Sequence, residues 1–183
     1  MNFTEKDLLD AVNLHRVKLS KIKCVVFDCD GILTNGHVTY EGEEMGWNRT
    51  SHTSDGYGMQ ILMQAGLKVG VISGGNSKGV LKRYKDNLKL DFVYLGNEDK
   101  RQAYKKILKM GFNDDEVLYM ADELFDMPLL KRCGFAVTVP IASQEVKAVC
   151  DYVTIRESGM GCARELIDIL RNAQNLTVNV PEF

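Results

Sequence analysis

Residues 24–31 read Cys24-Val25-Val26-Phe27-Asp28-Cys29-Asp30-Gly31, an apolar run that ends in two carboxylates and a glycine. The run predicts a buried strand, and alternate strand residues face the same side, so Asp28 and Asp30 start with a shared orientation. Gly31 lets the backbone turn sharply. Two carboxylates this close repel each other unless a proton or a cation such as Mg²⁺ lies between them. Taken alone, the motif is equally consistent with a solvated acidic turn.

Bulk composition predicts one compact domain. The chain has 183 residues, of which 45% are hydrophobic and 26% charged, and this suits a single core. We divide the domain, 1–183, into an N-terminal helix at 1–19, a core at 20–171 and a tail at 172–183. The net charge of -2 lacks the basic surplus that nucleic-acid binding requires.

Cysteine usage indicates a reducing compartment. The five cysteines are scattered and form no C-x-x-C pair, which argues against a disulfide framework and against a zinc site. The first residues contain no apolar signal region, and no run approaches membrane-spanning length. We therefore expect a soluble, cytoplasmic protein with neither a membrane nor a nucleic acid as partner.

Short apolar runs alternate with helical stretches along the chain. The predicted strands cover 24–28, 68–72, 92–94, 117–120, 135–139 and 151–154. The predicted helices cover 4–19, 57–65, 77–87, 99–110, 124–132, 143–149 and 161–173. Continuous apolar strands separated by helices are typical of a parallel sheet covered on both faces. The expected fold class is therefore α/β, a Rossmann-like parallel sheet.

One segment interrupts the alternation. Residues 37–40 and 44–50 indicate two short strands joined by a turn at Glu41-Gly42-Glu43, which predicts a β-hairpin inserted after the first strand. The hairpin follows Asp30, at the sheet edge where the carboxyl ends of strands collect ligands. The polar tail at 172–183 leaves two interpretations open, disorder or pairing with a neighbouring subunit.

Polar residues stand at four places along the predicted sheet edge. They are Asp28 and Asp30 after the first strand, Ser73-Gly74-Gly75 after the second, Lys100 at the start of a helix, and Asp122, Glu123 and Asp126 after the 117–120 strand. Each has an ordinary alternative: Ser73 as an N-cap, Lys100 as a solvated lysine, Asp122 as a carboxylate favoured at a helix start. The four together are more specific than any one.

Other polar residues carry weaker signals. Asp55, before Gly56, is as consistent with a helix cap as with a site residue. His37 and His52 have no partner at metal-binding spacing, and we assign them to the surface or the hairpin. The side chain of Cys29 is expected to point away from its two acidic neighbours, into the core.

The assembled set resembles the haloacid dehalogenase superfamily of phosphotransferases, whose motifs run D-x-D, then Ser or Thr, then Lys, then an acidic pair. Within it the chain is similar to the subfamily of 3-deoxy-D-manno-octulosonate 8-phosphate phosphatases and nonulosonate 9-phosphate phosphatases. The resemblance covers roughly 20–170. It is carried by F-D-C-D-G-I-L-T-N-G, the hairpin, D-G-Y-G at 55–58, V-I-S-G-G, L-G-N-E-D-K at 95–100, Y-M-A-D-E-L-F-D-M-P and G-x-G-x-x-R-E at 159–165.

The resemblance implies a catalytic pair. Asp28 is the implied nucleophile, which forms an aspartyl-phosphate, and Asp30 is the implied general acid and then base. Ser73 and the Gly74 amide are implied to bind the phosphate oxygens. Lys100 is implied to balance the negative charge of the transition state.

The resemblance also implies Mg²⁺ as the cofactor. Asp28 and the backbone carbonyl of Asp30 are the first two implied ligands, and Asp122 completes the site. Asp126 is implied to bond a metal-bound water.

Segment lengths leave no room for a cap domain. Residues 31–72 hold only the hairpin and one helix, and 74–99 hold one helix and one strand. In the resembled subfamily a tetramer roofs each site with the hairpin and a neighbouring subunit, so a homotetramer is implied. Trp47 and Met45, which look exposed in the hairpin, support this expectation.

The residues that would select a substrate depart from the pattern of the octulosonate phosphatases. Ser54, Gly75 and Met160 stand where that subfamily has arginines. Arginine is the usual bidentate partner of a carboxylate, so the substitutions weaken the case for that particular sugar acid. The residues able to replace these arginines are Arg49, Lys78 and Arg164.

The favoured function is a Mg²⁺-dependent phosphatase acting on a phosphorylated sugar acid, of the octulosonate 8-phosphate or nonulosonate 9-phosphate type. The missing arginines leave open a non-catalytic scaffold or regulatory protein on the same fold. A phospho-accepting receiver domain is the weaker alternative. A receiver takes its phosphate on an Asp after the third strand, and here that strand ends in Tyr94-Leu95-Gly96-Asn97.

Overall fold

The computed structural model describes residues 3–178. The strands are β1 (Cys24–Phe27), β2 (Thr39–Tyr40), β3 (Trp47–Asn48), β4 (Lys68–Ser73), β5 (Phe92–Leu95), β6 (Val117–Met120), β7 (Phe135–Thr138) and β8 (Tyr152–Val153). The α-helices are α1 (Glu5–Leu19), α2 (Gly42–Met45), α3 (Thr53–Gln64), α4 (Lys78–Leu81), α5 (Arg101–Leu108), α6 (Met127–Leu130), α7 (Gln144–Lys147) and α8 (Cys162–Ala173). Two π-helical turns occupy Cys29–Leu33 and Lys82–Asn87, and two 3₁₀ turns occupy Asp114–Glu116 and Leu124–Asp126.

Six strands form one parallel sheet in the order β5-β4-β1-β6-β7-β8. Every residue of β1, β6 and β7 is buried, as expected of strands covered on both faces. Because β1 pairs with β4 on one side and β6 on the other, the strand order reverses beside it. Such a reversal opens a crevice at the carboxyl ends of the strands, where α/β sheets bind ligands. The predicted α/β Rossmann-like fold class is confirmed.

The N-terminal helix is attached to the last helix. A capping box starts α1, in which Thr4 Oγ1 accepts from Asp7 N at 3.3 Å and Asp7 Oδ2 accepts from Thr4 N at 2.9 Å. Gln174, which follows α8, donates to the carbonyls of Leu19 and Ile22, both at 2.7 Å. The bond to Leu19 satisfies a carbonyl that the end of α1 leaves open, and the bond to Ile22 ties the following turn to the same side chain.

The predicted strands and helices are all present, with shifted ends. The helix predicted at 57–65 starts earlier, at Thr53, because His52 Nδ1 accepts from Ser54 N at 3.3 Å and caps it. The helix predicted at 124–132 is shorter, and a 3₁₀ turn at Leu124–Asp126 precedes α6.

The hairpin is present, but its predicted strands and turn were wrong in detail. Only Thr39 pairs with Asn48 and Tyr40 with Trp47, and the connection is the helical turn α2. Glycines with φ of +85° and +72° stand at its first position and just after it, a backbone region that L side chains rarely adopt. The positive φ at these two glycines lets the chain enter and leave a single helical turn between the strands.

No cap domain lies over the sheet edge within residues 3–178. The hairpin and α3 join β1 to β4, and α4 with the turn at Lys82–Asn87 joins β4 to β5. Trp47 is exposed, as predicted, whereas the side chain of Met45 lies outside the described part. Among the described residues, no helix is both long and apolar enough to cross a bilayer.

Candidate active site

The sheet order brings the predicted polar residues to one crevice. Ser73 ends β4, Asp28 follows β1, and Asp122 comes soon after β6, and these three strands are neighbours. The amide of Asp28 donates to Met120 O at 2.9 Å, so the pairing of β1 with β6 continues to Asp28. Asp28 is therefore held by the sheet itself.

Lys100 forms the floor of the crevice. Its side chain has no exposed surface, and its Nζ lies 2.7 Å from Asp28 Oδ1 and 2.8 Å from Asp126 Oδ1. Tyr119 donates from its hydroxyl to the same Asp126 oxygen at 2.5 Å. The interpretation of Lys100 as a solvated lysine is therefore wrong. The implied contact of Asp126 with a metal-bound water stays a prediction, because the oxygen seen in contact here bonds Lys100 and Tyr119.

Burial controls the charges of this group. Burial raises the pKa of Asp28, Lys100 opposes the rise, and Asp126 adds to it. Burial also raises the pKa of Asp126, again against Lys100. For Lys100, burial favours the neutral amine, but the two carboxylates outweigh it and raise its pKa. One ammonium thus faces several carboxylates in a medium of low dielectric, which favours binding of another cation.

Asp122 fits the role of a metal ligand. Burial raises its pKa to about 7, and its Oδ1 is buried without a hydrogen-bond partner among the described residues. A Cβ on Gly31, whose φ is +87°, would lie 2.1 Å from Asp122 Oδ2, so the backbone after Asp30 passes directly against this carboxylate. An unpartnered buried oxygen calls for a ligand or a proton.

A cation here would need a backbone ligand. Within residues 3–178 no three His, Cys, Asp or Glu side chains form a metal-binding group. The carboxylates of Asp28 and Asp122 with the carbonyl oxygen of Asp30 make an all-oxygen set, which suits a hard divalent ion. These residues are compatible with Mg²⁺.

Asp30 faces the hairpin and not the floor. Its side chain is 33% exposed, and Arg49 holds both of its oxygens, with Nε to Oδ1 at 2.5 Å and Nη2 to Oδ2 at 2.9 Å. The strand on which the expected shared orientation with Asp28 was based ends at Phe27, and the chain enters the turn Cys29–Leu33, so that orientation stays a prediction. The turn separates a buried carboxylate from a more exposed one.

Ser73 and Gly74 lie at the end of β4, where Ser73 Oγ and Asp30 Oδ2 come within 3.6 and 3.1 Å of the Cβ position of Gly75. Ser73 is buried and its Oγ accepts from Gly75 N at 3.2 Å. The alternative role of Ser73 as a helix N-cap was wrong, because Ser77 caps α4. A Cβ on Gly74 would approach Glu98 to 3.0 Å, so the loop packs closely here.

Asp55, in the first turn of α3, caps the start of α8. Its Oδ1 accepts from Arg164 N, in the first turn of α8, at 2.8 Å, and its Oδ2 is buried without a partner among the described residues. Burial raises the pKa of Asp55 to about 6. Cys29 is fully buried, as predicted.

The three possible replacements for the missing arginines have different partners. Arg49 binds Asp30. Lys78 donates to Glu44 O at 3.4 Å, and Arg164 Nε contacts Asp168 at 3.0 Å. Of these three side chains, only that of Arg49 contacts a residue of the predicted catalytic and metal-binding set. Sequence reasoning missed Tyr119, although a phenol inside an apolar strand requires a buried partner and was a usable signal.

Comparison with known proteins decides the family. Residues 85–166 match the haloacid dehalogenase-like hydrolase family. The 3-deoxy-D-manno-octulosonate 8-phosphate phosphatase of Haemophilus influenzae is 34% identical over 160 residues, which span 86% of this chain and 87% of that protein. The chain belongs to the haloacid dehalogenase-like hydrolases. Within this family it groups with the phosphatases, which hydrolyse phosphoric monoesters.

Solved structures of the same family have the same architecture. A subfamily III A hydrolase of Legionella pneumophila superposes with a TM-score of 0.85 and 35% identity, covering 93% of each chain. The 3-deoxy-D-manno-octulosonate 8-phosphate phosphatase of Moraxella catarrhalis, in complex with magnesium, phosphate and KDO, superposes with a TM-score of 0.83 and 30% identity. That match covers 89% of this chain and 93% of the other. The hydrolase described here thus has a haloacid dehalogenase-like fold, with no cap domain in residues 3–178.

Proposed function

We propose that this hydrolase removes phosphate from a phosphorylated sugar acid of the octulosonate 8-phosphate or nonulosonate 9-phosphate type. The observation that carries the proposal is the buried contact of Lys100 with Asp28, next to a second, more exposed carboxylate on Asp30. One carboxylate on the floor and one at the rim suit a nucleophile and a proton carrier. The similarity to an octulosonate 8-phosphate phosphatase supports the substrate class.

Asp28 is the proposed nucleophile. Its carboxylate attacks phosphorus, the new bond gives an aspartyl-phosphate, and the bond from phosphorus to the sugar oxygen breaks. Lys100 favours the reactive carboxylate form against the cost of burial. The Ser73 hydroxyl and the Gly74 amide donate to the phosphate oxygens, which gain charge in the transition state.

Asp30 is the proposed acid and base. It gives a proton to the departing sugar oxygen, and it then takes one from the water that hydrolyses the aspartyl-phosphate. Its contact with Arg49 of the hairpin supports a role at the leaving group rather than at the phosphate.

Mg²⁺ is the proposed cofactor, bound by the carboxylates of Asp28 and Asp122 and the carbonyl of Asp30. When bound, it neutralises charge on the phosphate and orients it. The unpartnered Asp122 oxygen supports this assignment, as does the magnesium in the Moraxella catarrhalis phosphatase.

A homotetramer is the proposed assembly, in the cytoplasm. The rings of Tyr40 and Trp47 lie against each other on the hairpin, with centroids 5.2 Å apart and planes tilted by 52°, and both side chains are more than half exposed. Exposed aromatic pairs of this kind are typical of protein interfaces. Light scattering of the wild type and of Trp47→Gln tests this, and a wild-type monomer would contradict it.

Phosphate release tests the function. The wild type with Mg²⁺ is assayed on phosphorylated sugar acids and on plain sugar phosphates, beside Asp28→Asn and the exposed control Asp10→Asn. We expect the control to match the wild type and Asp28→Asn to lose at least about 10³-fold in kcat. After acid quench and borohydride reduction, mass spectrometry should find the modified residue at position 28. Equal inactivity of wild type and Asp28→Asn on every ester would reject the proposal.

A further inference from the structure

Arg49 reaches the reaction centre from the hairpin. It follows β3 directly, its side chain is only 11% exposed, and it holds both oxygens of Asp30. Asp30 in turn pairs with Arg49 and receives one further, longer bond from Thr34 Oγ1, at 3.4 Å. A bidentate arginine–carboxylate pair is both strong and geometrically specific.

Gly75 makes the space for this pair. A Cβ at position 75 would lie 2.9 Å from Arg49 Nη2 and 3.1 Å from Asp30 Oδ2. Any larger residue would push the guanidinium away from the carboxylate. The bare loop after β4 and the arginine after β3 therefore form one structural unit.

The pair conflicts with the proposed role of Asp30. To protonate the departing oxygen, Asp30 must carry a proton on one carboxyl oxygen, whereas the two-point pair with Arg49 is made by the ionised carboxylate. The pair must open when substrate binds, and opening it leaves the guanidinium of Arg49 without an anion. A buried, unpaired guanidinium is costly, so another anion must take the place of Asp30.

A cavity beside Arg49 can hold that anion. It measures about 250 Å³ and is lined by Asn35, His37, Thr39, Glu41, Asn48, Arg49 and Thr50. Among these described residues Arg49 is the one arginine or lysine. Glu41, which accepts from Asn48 Nδ2 at 3.2 Å, disfavours an anion on its own side of the cavity, so the Arg49 side is the place for a negative group.

We propose that Arg49 selects the substrate by exchanging partners, binding Asp30 in the free enzyme and the carboxylate of the sugar acid in the loaded enzyme. This inference rests on the proposed function. The exchange frees Asp30 only when the leaving group carries a carboxylate. The preference for a sugar acid thus comes from a contact made between the hairpin and the sheet edge.

Two substrates that differ in one group test the exchange. Gluconate 6-phosphate and glucitol 6-phosphate share an acyclic carbon chain, but one ends in a carboxylate and the other in a hydroxymethyl group. We expect the wild type to prefer gluconate 6-phosphate in kcat/KM. Arg49→Gln should lower kcat/KM for this substrate about 10- to 100-fold. It should not lower kcat/KM for glucitol 6-phosphate, because Asp30 is then free without an exchange of partners.

Two further variants separate the parts of the unit. Gly75→Ala keeps Arg49 but crowds it, and should weaken the same preference. Arg132→Gln is the matched control, because Arg132 forms an exposed pair with Asp114 at 2.8 Å, and it should leave both substrates unchanged.

Binding gives a readout that does not depend on turnover. In Asp28→Asn, calorimetry should show tighter binding of gluconate 6-phosphate than of glucitol 6-phosphate, and adding Arg49→Gln should abolish the difference. Equal loss on both substrates, or no preference in the wild type and in the binding assay, overturns the exchange. The proposed function and the exchange can fail separately. If the wild type hydrolyses no ester but the Asp28→Asn variant still binds gluconate 6-phosphate through Arg49, the proposed function is rejected and the exchange stands.

Discussion

The ammonium of Lys100 lies 2.7 Å from the carboxylate of Asp28, and neither side chain is more than 4% exposed. A buried pair of this kind contributes little net stability, because desolvation of both charges offsets their attraction. Removing one partner, however, leaves the other charge buried and alone. The contact between Lys100 and Asp28 is therefore better explained by a role in the reaction than by a contribution to the stability of the fold.

Lys100→Met should destabilise the metal-free protein by about 3–5 kcal/mol, because it leaves Asp28 and Asp126 buried without a counter-charge. Urea unfolding in the presence of a chelator measures this. Adding Asp126→Asn should recover part of the loss, since it removes one of the unpaired carboxylates. A loss below about 1 kcal/mol would contradict the burial of the cluster.

Gly31→Ala should raise the Mg²⁺ concentration needed for half-maximal phosphatase activity by about 10-fold or more, because its Cβ would displace the Asp122 carboxylate. The control is Gly36→Ala. Gly36 also has a positive φ, of +78°, but nothing lies within 4 Å of its Cβ position. Both variants share the backbone cost, so an equal Mg²⁺ requirement would show that Asp122 is not a ligand.

Asp55→Asn should gain stability relative to the wild type as pH rises. Burial raises the pKa of Asp55 to about 6 from 3.8. Between pH 3.8 and pH 6 the folded wild type keeps a proton on Asp55 that the unfolded chain has lost, so its free energy of unfolding falls as pH rises through this range. The loss is complete above pH 6. The difference in unfolding free energy should shift by about 1 kcal/mol in favour of Asp55→Asn between pH 5 and pH 8. The exposed Asp10→Asn serves as control, and a parallel pH profile for both would refute the assignment.

Tyr119→Phe should lower the free energy of unfolding by about 1–2 kcal/mol and reduce kcat, because Asp126 loses the hydroxyl that orients it against Lys100. Tyr57→Phe changes an exposed phenol and is the matched control. Differential scanning calorimetry and steady-state kinetics give the two readouts. Unchanged kcat would show that Asp126 needs no help from Tyr119.

Much of the fold was predictable because its signals are local. The apolar runs before Asp28 and Asp122 each predict one strand, and parallel strands bring their carboxyl ends to one edge. Lys100 was correctly predicted to lie at the start of a helix. Its full burial was not predictable, because it depends on carboxylates from two distant segments.

The hairpin and its contacts were harder to predict. Glycines at its start and end convert a simple turn into α2, and the composition of the segment does not reveal this. Arg49 was one of three possible replacements, and only the tertiary approach of β3 to Gly75 singles it out. The cap that Asp55 provides joins residues far apart in sequence, which no local pattern reports.

The separation of the two carboxylates by one turn affects how such enzymes diversify. Asp28, Asp30 and Lys100 lie at the sheet edge, whereas Arg49 belongs to the hairpin segment that runs from the turn Cys29–Leu33 to α3. Grafting a different hairpin after that turn is expected to change which leaving groups are accepted, while the two carboxylates and Lys100 stay in place. Inheritance of the reaction and invention of new substrates can therefore proceed independently, on different segments of one gene.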